Sequence, residues 1–366
     1  MKVLVTGGCG FIGSNLVRWL LREKGFAVVN LDRLTYAGRR ESLSDLEGEP
    51  GYAFEPADLC DAGALSRILE SHRPDAVMHL AAETHVDRSI DGPEAFVQSN
   101  VVGTFRLLEA CLAYWRKLPD GTGSPGRESF RFVHVSTDEV YGSLAKDAAP
   151  FTERSPYDPR SPYSASKAAS DHLVRAWHTT YGLPVVLTNC SNNYGPFQFP
   201  EKLVPLVILK CLRDEPIPVY GKGDNVRDWL YVTDHCEALS GVLARGRVGE
   251  TYLIGGRQER SNLDLVETLC AIMDERAPRE TDSNRTGRKS HRDRITFVAD
   301  RPGHDFRYAI DSSKVEREIG WKPVESLESG LAKTVGWYLR NRQWWQPILD
   351  RSYHLQRLGA PTRDSR

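Results

Sequence analysis

Five side chains carry the strongest chemical signal in this sequence. Tyr163 and Lys167 form a Tyr-x-x-x-Lys pair in a segment that reads as a helix. The i, i+4 spacing sets phenol and ammonium on one helix face. A nearby ammonium lowers a phenol's pKa toward working pH, and the phenolate then removes a hydroxyl proton while hydride leaves the same carbon. Upstream stands Ser136-Thr137-Asp138-Glu139-Val140-Tyr141-Gly142, directly after an expected strand over 132–135. Alone, two adjacent acids read as a solvated turn. Beside a hydride site, one carboxylate can be a base while its neighbour, kept protonated by like-charge repulsion and partial burial, is an acid. Removing water across a carbon–carbon bond next to a ketone needs that pairing; a plain dehydrogenase does not.

A dinucleotide loop supports the hydride reading. Gly8-Cys9-Gly10-Phe11-Ile12-Gly13 satisfies GxGxxG, follows a strand and opens a helix. The glycines admit a tight turn and close approach of pyrophosphate, and the helix N-terminus offers free N–H groups. Asp32 lies nineteen residues past Gly13, at the end of the second expected strand. There it can accept from both ribose hydroxyls and repel a 2′-phosphate, which favours NAD over NADP. Arg33 is the countervailing residue, since a cation here can greet that phosphate. An oxidised nicotinamide also adds a positive charge near Tyr163. The ten histidines show no HxxxH or HExxH spacing and the seven cysteines no CxxC, so no metal site is expected.

The elements that must position these groups follow from periodicity. Short β-branched runs at 3–5, 27–31, 76–80, 132–135 and 185–187 read as buried strands, and segments near 12–24, 61–71, 95–116 and 163–181 as helices. Strands alternating with helices imply a parallel sheet. After residue 192 Pro and Gly become denser, with helices near 201–212, 233–244, 262–275 and 327–340. The expected architecture is α/β: a doubly wound parallel sheet (Rossmann) over 1–191, with returning segments about 229–258 and 306–318, and a smaller, partly interleaved α/β substrate domain over 192–366. Segments 118–129 and 276–294 read as surface excursions, the latter with seven Lys or Arg. The chain has 366 residues, 40% hydrophobic and 27% charged, which excludes wholesale disorder. Lys plus Arg is 48 against 49 for Asp plus Glu, so no global field favours nucleic acid or anionic lipid. No apolar run reaches the ~18–20 residues of a membrane span, and no signal-peptide pattern opens the chain. Scattered cysteines suit a reducing cytoplasm.

The phosphate loop joined to the Tyr163/Lys167 pair resembles the extended short-chain dehydrogenase/reductase family. With the Thr137-Asp138-Glu139 triplet, the resemblance narrows to its dTDP-glucose 4,6-dehydratases and runs from about residue 1 to 345. It implies a lyase of nucleotide-sugar metabolism and deoxysugar biosynthesis. NAD would oxidise C4, water would leave across C5 and C6, and the hydride would return to C6. Thr137 then bonds the sugar 4-hydroxyl, Asp138 is the acid at C6, Glu139 the base at C5, and Tyr163, with Lys167, takes the 4-hydroxyl proton. The implied cofactor contacts are Gly7, Gly10, Phe11, Ile12, Gly13, Asp32, Arg33, Leu34, Thr35, Asp58, Leu59, Leu80, Ala81, Ala82, Ser99, Tyr163, Lys167 and Asn193. On the nucleotide-sugar side the resemblance implies Thr84, Thr137, Asn192, Glu201, Lys202, Leu203, Pro218, Val219, Tyr220, Arg227, Asn262, Asp300, Arg301, Pro302, Gly303 and His304. Lys202 and Arg227 are the expected pyrophosphate cations, and Pro218–Tyr220 the pyrimidine wall. Apolar faces on helices 95–116 and 163–181 imply a homodimer. Thr84 and Ser99 stand where the family pattern has Ser and Thr, Phe306 interrupts its usual basic pair, and the loop 276–294 is long. A UDP-sugar 4,6-dehydratase, a 4-epimerase and a non-catalytic dinucleotide sensor are the competing readings; a sensor has no need of all five catalytic residues together.

Overall fold

The computed structural model describes residues 1–279, 289–300, 303–351, 353 and 355. Within them run twelve strands: β1 (Lys2–Thr6), β2 (Ala27–Asp32), β3 (Tyr52–Pro56), β4 (Ala76–His79), β5 (Arg131–Thr137), β6 (Val185–Cys190), β7 (Asn192–Tyr194), β8 (Ile217–Tyr220), β9 (Val226–Tyr231), β10 (Thr251–Ile254), β11 (Glu259–Ser261) and β12 (Ile295–Val298). Seven form one sheet in the order β10-β6-β5-β4-β1-β2-β3. Every pairing in it is parallel. The chain winds outward from β1 to β3, then returns beside β1 with β4 and winds the other way. That reversal opens a crevice beyond the carboxyl ends of β1 and β4, where doubly wound sheets bind their ligands.

The sheet is buried on both faces, as the unbroken apolar runs require. Val3 and Val5 enter one core with Ala76, Met78 and the helix Val232–Arg245. Leu4, between them, enters the opposite core with Val77, Leu107 and Leu108. A third core lies among helices Leu203–Leu212, Asn262–Arg276 and Leu327–Arg340, beside two small sheets, β11-β9-β7 and β12-β8. The Rossmann-type expectation is borne out, and a smaller second unit accompanies it.

Several elements differ from the periodic reading. β3 and β10 were not expected. β3 is an edge strand whose Tyr52, Ala53, Phe54 and Glu55 are only half-buried, so it lacks a continuous apolar run. β10 is the opposite edge strand; it is no shorter than β4, but it opens on Thr251 after the largely polar stretch 247–250 and no apolar run of β-branched residues marks it. The segment expected as one helix over 95–116 is a short helix Pro93–Phe96, a wider π-helical stretch Val97–Gly103, and a regular helix Thr104–Arg116. Such wide turns often sit at functional sites, and this one carries Ser99 on the wall of the cleft below. Among the described residues no helix is long and apolar enough to cross a membrane. Residues 280–288 of the basic segment 276–294 lie outside the described residues; in the rest, Arg279 and Arg294 both pair with Asp214.

Candidate active site

The helix Pro162–Tyr181 sets out the Tyr163/Lys167 pair. Ser161 caps it, with Ser164 answering in a capping box; Pro162 occupies the first turn, and Gly182 ends it at φ 76°. Tyr163 and Lys167 follow one turn apart, both buried against the end of β5. Lys167 Nζ donates to the Val135 carbonyl at 3.0 Å. Thr137 Oγ1 donates to Asp138 Oδ1 at 3.4 Å, and the Tyr163 phenol stands beside it, where the hydroxyl favours the phenolate. β5 ends at Thr137, and a tight turn Asp138–Tyr141 follows, with Glu139 N donating to Thr137 Oγ1 at 3.3 Å. Gly142, at φ 81°, lets the chain leave. The whole triplet therefore sits where the strand runs into the crevice.

The two acids differ in surroundings. Asp138 is 1% exposed, and its Oδ2 has no hydrogen-bond partner among the described residues. Burial first, then the charges of Glu139 and Asp228, push its carboxyl well above the usual range, against the pull of Arg227. The shift favours the protonated carboxyl, the form a general acid needs. Glu139 lines the meeting of two cavities. The phenol departs from expectation. Burial, followed by Glu139 and Cys190, raises Tyr163 well above its ordinary value, and burial lowers Lys167. In the protein alone the ammonium does not outweigh these, so the added positive charge of a nicotinamide ring is needed to bring the phenol down.

The first cavity runs from the glycine turn to Tyr163. It is lined by Gly7, Gly10, Phe11, Ile12, Gly13, Asp32, Arg33, Thr35, Asp58, Leu59, Leu80, Ala81, Ala82, Ser99, Tyr163, Lys167 and Asn193. Its shape fits a dinucleotide. Gly7 has φ +73°, and a Cβ there would lie 2.7 Å from Ala81 Cα; a Cβ on Gly13 would lie 2.1 Å from the Gly7 carbonyl oxygen. Asp32 accepts from Cys9 N at 2.9 Å and Leu34 N at 2.8 Å, which fixes its carboxylate at the rim. Arg33 is held by Asp58 at 3.1 Å and Glu83 at 2.9 Å, so two acids already neutralise the cation that could greet a 2′-phosphate. Leu34 is not on the cavity wall: its side chain is 40% exposed, and its contribution is the backbone N–H to Asp32.

The second cavity is walled by Thr84, Asn192, Glu201, Lys202, Leu203, Pro218, Val219, Tyr220, Arg227, Asn262, Gly303 and His304. It shares Thr84, Glu139, Asn192, Glu201 and Lys202 with the first. A molecule in each would meet beside Glu139. Asn192 Oδ1 is buried there without a hydrogen-bond partner among the described residues. Lys202 Nζ donates to Thr84 O at 3.0 Å. Arg227 donates to the carbonyls of Val226 at 2.7 Å and Asp305 at 2.9 Å and lies 4.3 Å over the Tyr308 ring. Glu201 accepts from Tyr36 at 2.8 Å and Arg88 at 2.8 Å, so it joins the loop after β2 to the substrate side. Asp300 is not on the cavity wall; it bonds His304 Nδ1 at 2.7 Å. Arg301 and Pro302 lie outside the described residues. Phe306 contributes backbone, its N–H to Ser143 Oγ at 2.8 Å, while Arg307 pairs with Glu259 at 2.6 Å.

The sequence reading missed Gln198 and Phe199 in the first cavity, and His85, Asp87, Asp305, Tyr308 and Tyr353 in the second. Asp87 lies three residues past Thr84 and Tyr308 closes the segment after His304, so proximity in the chain was the available signal. Nothing local marks Tyr353, which folding brings back from the far end of the chain.

The sequence of residues 4–334 matches the family model described as GDP-mannose 4,6 dehydratase. A dTDP-glucose 4,6-dehydratase of Neisseria meningitidis serogroup B is 58% identical, covering 98% of this chain and 99% of its own length. The crystal structure of DesIV, a dTDP-glucose 4,6-dehydratase from Streptomyces venezuelae with NAD and TYD bound, superposes with TM-score 0.83 at 46% identity, over 95% of this chain and 100% of that one. A UDP-glucose 4-epimerase of Thermus thermophilus with NAD shares the fold at TM-score 0.79 and 29% identity, over 93% of this chain and 100% of that one. The identity near 58% over almost the full length separates the dehydratases from the epimerases, which share the sheet and cleft at half that identity. The chain belongs to the dTDP-glucose 4,6-dehydratase family.

Proposed function

We propose that this chain is a hydro-lyase converting dTDP-glucose to dTDP-4-keto-6-deoxyglucose, with NAD reused in every turnover. The observation that carries the reading is the unlike pair of acids: a fully buried Asp138, whose surroundings favour the protonated carboxyl, next to a Glu139 that faces both cavities. NAD, held by the glycine turn, Asp32 and the rest of the first cavity wall, would supply the hydride acceptor for C4 and the hydride donor for C6. Tyr163 takes the proton of the 4-hydroxyl, with Thr137 bonded to that oxygen and Lys167 holding the phenol's surroundings positive. The resulting 4-ketone acidifies the C5 hydrogen, which Glu139 removes. Asp138 gives its proton to the C6 hydroxyl as it leaves as water. A proton returned to C5 completes the product. The other side chains lining the two cavities bind: Asp32 the adenosine ribose, Lys202 and Arg227 the substrate phosphates, Pro218 to Tyr220 the base. Incubation with a panel of nucleoside-diphosphate glucoses, read by mass spectrometry, tests this. The expected product forms fastest from dTDP-glucose; C4-epimerised sugar, preference for UDP-glucose, or no product would each overturn it.

We further infer a cytoplasmic homodimer, with the Rossmann unit at 1–191 plus 229–258 and 306–318. Exposed Val97 and Tyr181, with Phe105 packed on Trp177 at 5.8 Å, support pairing through these helices. A monomeric mass by light scattering at micromolar concentration would contradict the dimer. Seven free cysteines support a reducing compartment. β10 on the edge of β6, and Val315 and Ile319 in the same core as β1, support the returning segments.

A further inference from the structure

The stripe of helix Pro162–Tyr181 that bears Tyr163 and Lys167 carries another acid one turn on. Asp171 is completely buried. Its Oδ1 accepts from His134 Nε2 at 3.1 Å. Its Oδ2 accepts from Ser136 Oγ at 2.9 Å, Tyr157 OH at 2.9 Å and Asn189 Nδ2 at 3.2 Å. Donors from β5, β6 and the loop before the helix thus converge on one carboxylate. A charge survives such burial only with donors and countercharges around it. Lys167 lies one turn before it and Arg175 one turn after, at helical spacing that makes neighbours. Arg175 also donates to Tyr157 OH at 2.8 Å.

The same carboxylate reaches the catalytic triplet. Ser136 immediately precedes Thr137, and Asn189 Nδ2 donates to the Thr137 carbonyl at 3.0 Å as well as to Asp171. We propose that Asp171 is a positioning residue: its buried carboxylate is the countercharge that keeps Lys167 an ammonium bonded to Val135, and it ties the ends of β5 and β6 to the catalytic helix.

Charges around the pair single out Asp171 for this role. Facing Lys167 are His79 from β4, His134 from β5 and Cys190 from β6; facing Asp171 are also Tyr141, Tyr157 and Arg175. Burial lowers His79 well below its ordinary value and His134 to about 4, so both rings are neutral. Burial raises the Cys190 thiol and the Tyr141 and Tyr157 phenols, so none of these is an anion at neutral pH. Burial alone would raise Asp171 too, but His134, Lys167 and Ser136 hold it below the usual carboxylate range. Burial lowers Lys167, and Asp171 is the first opposing influence.

The inference rests on the proposed function only for the part Lys167 plays beside Tyr163. The test is the pH profile of product formation from dTDP-glucose with Asp171→Asn, alongside Tyr157→Phe. Asp171→Asn removes the charge and keeps the shape. Losing an opposite charge at this range moves a pKa by about one unit or more, so the alkaline limb of kcat shifts to lower pH by that amount while KM barely moves. Tyr157→Phe removes a donor, and with it some stability, but leaves the carboxylate; its alkaline limb stays at the wild-type pH. An unmoved limb in folded Asp171→Asn, or an equal shift in Tyr157→Phe, overturns the proposal. Should Asp171→Asn not fold, Asp171→Ser, which admits water beside the same donors, carries the same readout. Wild-type protein that makes no 4-keto-6-deoxy product would overturn the proposed function instead, which separates the two failures.

Discussion

Asp138→Asn is expected to make the protein more stable and less active at once. The wild-type carboxyl is fully buried, its Oδ2 lacks a partner among the described residues, and burial with Glu139 and Asp228 raises its pKa well above the ordinary value. A group raised in the folded state contributes its full stability below its unfolded pKa, ~3.9 for Asp, and loses it as pH climbs toward the folded pKa. Asparagine has the same shape and no proton to lose. Each unit of elevation is worth about 1.4 kcal/mol at a pH above the folded pKa. At ~2.1 cal/mol/K of unfolding entropy per residue, 366 residues convert 1 kcal/mol to about 1.3 °C of Tm. The variant should therefore melt about 2 °C higher than wild type at pH 8 for each unit of elevation, with the gap closing toward pH 4. Product formation should fall by ~10²–10⁴-fold, the usual worth of a general acid. Calorimetry across pH 4–8, with mass-spectrometric product assay, reads both. A gap that stays constant with pH, or wild type more stable than the variant at pH 8, would show that Asp138 is not held protonated, and the assignment of the acid would fall with it.

Gly13→Ala places a methyl carbon 2.1 Å from the Gly7 carbonyl oxygen, so the turn must open; NAD should no longer copurify, by absorbance of the denatured supernatant, while melting changes less than cofactor content. Replacing both acids that engage Arg33, as Asp58→Asn with Glu83→Gln, frees the guanidinium beside Asp32. Binding of NADP should then improve by about tenfold relative to NAD, the ~1.4 kcal/mol scale of one charge-assisted hydrogen bond; an unchanged ratio in titration calorimetry would show that Asp32 alone sets the preference.

The proposed catalytic residues were the most legible part of the sequence, because each lies where a strand ends or a helix begins. Thr137, Asp138 and Glu139 follow β5 directly, and Tyr163 and Lys167 sit one turn apart behind a capped helix start. The parallel sheet was legible for the same reason, since its central strands are unbroken apolar runs. β3 and β10, the two edges of the sheet, were not: one is only half-buried, and the other lacks a β-branched apolar run. The environment of each group was less legible than its identity. Periodicity cannot say that Arg33 is spent on two acids, that Arg227 rests on carbonyls and the Tyr308 ring, or that the phenol of Tyr163 is raised by Glu139. Those depend on contacts between residues far apart in the chain, as does the return of Tyr353 to the second cavity.

The central claim is that Glu139 removes the C5 proton of a 4-keto sugar. Its most direct test is turnover of dTDP-glucose in heavy water by wild type and Glu139→Gln, with deuterium at C5 of the product read by mass spectrometry and NMR. Wild type should deliver product fully labelled at C5. Glu139→Gln, which keeps the shape and loses the base, should exchange C5 slower by ~10²–10⁴-fold, while the nucleotide, held by other groups, still binds. Exchange at the wild-type rate in Glu139→Gln would contradict the account and move the base to another residue.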